Sequence, residues 1–310
     1  MSGASDDTDA LIFVDVDGVV NVCARGEGSS NLLLSKGNME LALQEHEPEF
    51  LKTWGNLVAK VSTVAQRYGD LACPDEDHFS AILVLRLANI IKAAGGRRTV
   101  VLSSKWRRKE ARQKVEHLEE ALAQHLGDDF EFDGRTEIVD ENGARDRLRC
   151  IGNYVRRHCK WHPARALRIL ILDDFFAGAL DGFSCGSRRM RDSTCVEAYV
   201  RRFAPRFRDV QVKLAHCYEE WRAPDGSRVQ CGRGLSERHV AEARDFFVAP
   251  AATRVYCHAE LALWKAVLAW VTSKRQSKAV GGAGKDHAST SAAMVLSGIV
   301  AVAPELCLRM

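Results

Sequence analysis

The sequence predicts an α/β protein built on a central, mainly parallel sheet with helices on both faces. Three observations point there. Residues 11–14, 99–102 and 167–172 are short, mainly apolar runs of the kind that form strands buried on both faces. Segments with helical periodicity separate them, which calls for right-handed crossovers between parallel strands. Each run is followed by polar residues, Asp15, Ser103 and Asp173, and in such sheets ligands bind beyond the carboxyl ends of the strands.

The elements follow in order. Residues 1–9 are acidic and polar and read as a disordered leader, and residues 11–14 are the first strand. Residues 22–37 carry Gly26, Gly28 and Gly37 and read as loop, while 39–68 are mostly helical, with breaks expected near Pro48 and Gly55. Ile82, Leu83, Leu85, Leu87, Ile90 and Ile91 give residues 79–94 a broad apolar helical face that Gly95 and Gly96 end. Residues 99–102 are the second strand. The charged segment 106–126 has Val115, Leu118, Leu122 and Leu126 along one side of a helix. A shorter helix at 151–158 precedes the third strand at 167–172, and 210–214 reads as a fourth strand. Helices are expected at 237–247 and 260–272. The organisation is then one domain over residues 10–273, with room for small insertions at 22–78 and 175–209, and a flexible low-complexity tail at 274–310.

Composition excludes more than it selects. The chain has 310 residues, 46% hydrophobic and 27% charged, with a net charge of +3, too small to argue for nucleic acid or membrane. No apolar run reaches the ~20 residues of a membrane helix, and no basic segment leads into an apolar one at the start. The expected location is the cytoplasm. Ten cysteines are scattered without a C-x-x-C pair, which fits reduced thiols rather than a disulfide framework or a zinc site.

Chemistry concentrates at the strand ends. In Asp15-Val16-Asp17-Gly18 two carboxylates two residues apart point the same way in extended backbone, and glycine allows a sharp turn. Carboxylates held close raise one another's pKa unless a cation neutralises them, and a hard ion such as Mg²⁺ suits oxygen ligands. Ser103 and Ser104, followed by Lys105 and Arg107, offer hydroxyls, amides and positive charge to an anion; alternatively, either serine caps the helix after it. Asp173 and Asp174 are adjacent acids behind a buried strand, costly unless paired, solvated or metal-bound. Each motif alone is also what a strand-end turn looks like. A parallel sheet brings all three to one edge.

With these motifs in this order, the sequence resembles the haloacid-dehalogenase-like (HAD) hydrolase superfamily. Asp15-Val16-Asp17-Gly18-Val19-Val20-Asn21, Ser103-Ser104-Lys105-Trp106-Arg107 and Gly234-Leu235-Ser236 look like the HAD domain subgroup of RNA-repair-associated proteins. The resemblance implies a three-layer α/β/α Rossmann-like fold with a small or minimal cap, and a Mg²⁺-dependent phosphatase working through an aspartyl-phosphate. Asp15 is then the nucleophile and Asp17 the acid/base. Ser103, with Ser104, binds the phosphoryl group. Mg²⁺ is held by Asp15, Asp173 and Asp174 and the carbonyl of Asp17. Residues 142–168 hold eight arginines and lysines against one acid, and Arg147 best fits the basic position of the pattern, with Arg145 and Arg149 as alternatives.

The expected partner is a phosphorylated substrate. Residues 186–213 carry eight basic residues against three acids, which suits a polyanion such as a nucleic acid end. A small-metabolite phosphatase or phosphotransferase, and an inactive phosphate-binding scaffold, are the competing expectations. Nothing in the sequence sets the oligomeric state.

Overall fold

The computed structural model describes residues 8–25, 32–44, 48–138, 144–159, 165–175, 184–185, 188–189, 193–204 and 209–249. The expected helix at 260–272 and tail at 274–310 lie outside the described residues, as does most of the expected leader.

Five strands form an all-parallel central sheet: β1 (Thr8–Val14), β4 (Arg98–Leu102), β5 (Gly134–Arg135), β6 (Ala166–Asp173) and β9 (Asp209–His216). Their spatial order is β5-β4-β1-β6-β9, so the connections run one way from β1 and then the other, and the switch falls at β1 and β6. Side chains alternate across the pleat. Ile12 and Val14 of β1 join Val100, Leu102, Leu170 and Leu172 in one core, and Leu11 and Phe13 join Val101, Ile169 and Ile171 in the other. The first core is covered by α3 (Ala81–Ala93), α4 (Arg112–Leu126) and α7 (Glu237–Val248), the second by α5 (Ala144–His158) and α6 (Ser193–Arg201). The result is the expected three-layer α/β/α arrangement.

The remaining elements surround this base. α1 (Lys36–Leu43) starts at the N-cap Ser35, and α2 spans Pro48–Tyr68. Proline is tolerated there because the first turn needs no amide donor. The expected break at Gly55 does not occur, and the helix runs through it. A second, antiparallel sheet combines β10 (Tyr218–Arg222), β11 (Arg228–Gly232), β2 (Cys23–Arg25) and β3 (Leu32–Leu33) in that order. A two-strand pair joins β7 (Ser184–Cys185) to β8 (Arg188–Arg189).

Several boundaries differ from expectation. β1 takes in Thr8 and Asp9 from the expected leader, since both pair with β6 through the backbone. The helix expected at 106 begins at Arg112; residues 105–111 instead make two 3₁₀ turns that pin Trp106 and Arg107 inside the protein. Residues 228–232, just ahead of the expected helix at 237–247, form β11. Residues 193–201 form α6, which packs Val196 and Val200 into the second core. Arg168, one of the basic run, lies fully buried in β6.

Candidate active site

The first motif is a tight loop at the end of β1. Asp15 N–H donates to Leu172 O at 2.9 Å, and Val19 and Val20 N–H both return to Val16 O. Gly18 has φ +82°, and a Cβ there would overlap Asp174 Oδ2 and lie 2.9 Å from the Gly232 Cα. Only glycine meets both demands. Asn21 closes the loop from inside: its Oδ1 accepts from Gly18 N–H at 2.8 Å, and its Nδ2 donates to Asp17 Oδ1 at 3.2 Å and His78 O at 3.0 Å.

The sheet brings the three motifs together. Ser103 N–H donates to Val14 O at 2.7 Å, which fixes the end of β4 beside Asp15. Asp15, Ser103, Ser104, Asp173 and Asp174 are all at most 2% exposed. The Ser104 hydroxyl accepts from Trp106 N–H at 3.3 Å, the capping role named as its alternative. Ser103 lies under Thr136, whose hydroxyl is 3.5 Å from the Ser103 Oγ.

Arg147, on α5, reaches into the acidic centre. Its Nη1 donates to Asp15 Oδ2 and, at 2.9 Å, to both oxygens of Asp173. Of the other candidates for the basic position, Arg149 is exposed and pairs with Asp146 at 3.3 Å, and the Arg145 side chain lies outside the described residues. A second guanidinium was not foreseen. Arg25 of β2 pairs with Asp174 Oδ2 at 2.5 Å and donates to the Asp174 carbonyl at 3.0 Å.

Charge is under-compensated here. Burial raises the pKa of Asp173 well above the carboxylate range, with Asp15 and Asp174 adding to it against Arg147. Burial raises Asp174 as well, against Arg25. Asp17 is raised by burial and then by Asp15, while hydrogen bonds from Asn21 and Trp106 oppose the shift. Arg147 is held more strongly protonated than usual: burial disfavours its charge, but Asp15 and Asp173 more than offset that.

One carboxylate oxygen from each of Asp15, Asp173 and Asp174 lies within 4.8 Å of the other two. An all-oxygen set, buried and short of positive charge, fits a hard divalent cation such as Mg²⁺. The Asp17 carboxylate stands outside this group and is tied instead to Asn21 and Trp106.

Sequence reasoning missed Arg25, Thr136 and Gly232, and placed Trp106 in the serine motif and at a helix start without giving it a role. Trp106 had a usable signal, since it follows the end of β4; Thr136 had none, because β5 is only Gly134–Arg135 and carries no apolar run. Arg25 and Gly232 had none, because their place depends on the pairing of β2 with β11.

A parallel sheet with a carboxylate loop after β1, a serine after β4 and an acid pair at the end of β6 defines a protein of the haloacid-dehalogenase-like superfamily. Within it, residues 11–194 match the HAD domain in Swiss Army Knife RNA repair proteins, and the chain belongs to that family. No curated protein and no solved structure matches the chain. Among the described residues no helix is long and apolar enough to cross a membrane.

Proposed function

We propose that the protein is a Mg²⁺-dependent phosphatase that removes a terminal phosphate from a nucleic acid end through an aspartyl-phosphate. The observation that carries this reading is the buried centre in which the Asp15 carboxylate meets Arg147 and the Asp173–Asp174 pair at the switch point of the sheet.

In this reading Asp15 attacks phosphorus while the bond to the leaving oxygen breaks, and Asp17 gives that oxygen its proton. Water then attacks the aspartyl-phosphate, losing a proton to Asp17; the phosphorus–Asp15 bond breaks, and inorganic phosphate leaves. Arg147 and Ser103 orient the phosphoryl oxygens and offset their charge. Asp15, Asp173 and Asp174 would hold Mg²⁺, which supplies positive charge to the transferring group.

Two observations favour a nucleic acid end over a small metabolite. The matched family is named for RNA repair proteins. Lys105, Arg108 and Lys109, which directly follow the serine motif, are exposed on the surface, and exposed cations suit a polyanionic backbone. Six described cysteines are free thiols, which suits a reducing compartment, and the cytoplasm is the proposed location.

The test is hydrolysis of p-nitrophenyl phosphate with and without Mg²⁺, with Asp15→Asn as control, followed by small phosphates against 5′- and 3′-phosphorylated oligoribonucleotides. Mg²⁺-dependent release lost in Asp15→Asn, with oligonucleotides preferred, is the expected result. Equal, Mg²⁺-independent release by both proteins would leave only a phosphate-binding module. Preference for small phosphates would reject the nucleic acid substrate.

A further inference from the structure

Asp17 is gripped on one side. The indole N–H of Trp106 donates to Asp17 Oδ1 at 3.2 Å, and the Asn21 amide donates to the same oxygen at 3.2 Å. The two donors come from different strand ends, Trp106 from behind β4 and Asn21 from the loop after β1. Both are fixed. Trp106 is 7% exposed, its backbone N–H is held by Ser104, and its ring meets the edge of His78 at a centroid distance of 6.4 Å. Lys114 Nζ lies 5.8 Å over the same ring. Asn21 is 1% exposed and spends its remaining groups on Gly18 N–H and His78 O. His78 itself holds φ +60°, an uncommon backbone state for a residue with a side chain. Among the described residues no donor is bonded to Asp17 Oδ2.

We propose that Trp106 is a positioning residue for the acid–base step: with Asn21 it fixes Asp17 through Oδ1 and leaves Oδ2 as the oxygen that carries and delivers the proton. The reason is donor geometry. A proton on Oδ1 would face two N–H groups that need an acceptor, and buried donors left without one are costly. Oδ2 is therefore the oxygen left open to exchange a proton. When the bond between phosphorus and the leaving oxygen breaks, Oδ2 passes this proton to that oxygen and Asp17 becomes a carboxylate. When water attacks the aspartyl-phosphate, one water proton returns to Oδ2. This role rests on the phosphatase reading.

The test uses Trp106→Phe, which keeps an aromatic ring and removes the N–H. kcat/KM is measured for p-nitrophenyl phosphate, whose leaving group departs without protonation, and for an alkyl phosphate, whose leaving group needs the proton. Both values fall, but the alkyl-to-aryl ratio is expected to drop a further tenfold or so, part of the roughly 10²–10⁴-fold that proton transfer contributes. Asp17→Asn gives the larger drop for comparison. Equal loss on both substrates means that Trp106 only supports the fold, and no loss on either means that it does nothing for Asp17; each overturns the proposal. If Trp106→Phe fails to fold, 3-benzothienylalanine at position 106, which keeps the bicyclic shape without the N–H, gives the same reading. Wild-type protein without Asp15-dependent release overturns the phosphatase reading and this role with it. A wild type that is active and a ratio that does not move overturn this role alone.

Discussion

Arg168 offers a stability test that is separable from the chemistry. Its side chain is 1% exposed inside β6, with Nη1 3.3 Å from Asp209 Oδ2 and Nη2 donating to Ala249 O at 3.0 Å. It thereby ties the sheet to the end of α7. The partners are unequal: Asp209 is 12% exposed and also accepts from Gln211 at 3.2 Å. Removing the arginine leaves a carboxylate that water and Gln211 can satisfy, plus one carbonyl without its donor, and Arg168→Met is expected to cost about 2 kcal/mol. Removing the carboxylate leaves a guanidinium that water cannot reach, and Asp209→Ala is expected to cost about 4 kcal/mol. The double variant has no orphaned charge and returns to about 2 kcal/mol, less than Asp209→Ala alone. In a domain of this size those losses lower Tm by about 4–8 °C and 8–16 °C. Urea unfolding gives the free energies, with unchanged m-values showing that the unfolded state is not the cause. Arg168 lies five residues before Asp173, about 16 Å along the strand, so turnover by the folded variants stays at the wild-type level. Strictly additive losses, or an Arg168→Met loss larger than that of Asp209→Ala, would refute this account of the pair.

Two further predictions concern the site and its support. Gly18→Ala forces a side chain into φ +82° and against Asp174, so it is expected to lose at least about 2 kcal/mol, with Asp174 displaced from Arg25 and the proposed Mg²⁺-dependent activity lost; urea unfolding and p-nitrophenyl phosphate hydrolysis check both, and a stable, active variant would count against the glycine argument. His239 is the third residue of α7, in a capping box with Ser236, and burial, then Arg233, pulls its pKa down from 6.5 to about 4. A neutral buried histidine contributes stability that is present above pH 6.5 and is lost as the pH falls from there through about 4. Gln at this position keeps the capping box without titrating, so the urea midpoint of His239→Gln should fall less than that of wild type across this window, and parallel curves would refute the assignment.

What the sequence revealed, and what it hid, divides by the range of the interactions. The strand ends were legible because a buried parallel strand writes its own signal: an apolar run that stops at polar residues. Asp15, Ser103 and Asp173 follow from that pattern and from the topology. Arg147 stayed open beside Arg145 and Arg149 because positions 145 and 149 share one face of a helix and 147 lies on the other, and the choice needs the rotation of α5, set by Leu148, Ile151 and Val155 in the second core. The second sheet was illegible for a different reason. β2 and β3 are three and two residues long, and β2 finds its partner β11 some two hundred residues away, where no local period reports it. Arg25 came with that sheet. The antiparallel layer therefore hid the second guanidinium of the site as well as itself.

The contact between Gly18 and Gly232 bears on where the protein can be cut. The family match ends at residue 194, which invites a short recombinant fragment. Yet Gly232 sits against the carboxylate loop, Gly234 and Leu235 donate to the carbonyls of Gly18 and Val19, and β9 covers the open edge of β6 along its whole length. A fragment stopped at 194 would expose the flank of β6 to pairing with other chains and leave the carboxylate loop without its back wall. The smallest piece worth expressing runs through Ala249, whose carbonyl Arg168 holds.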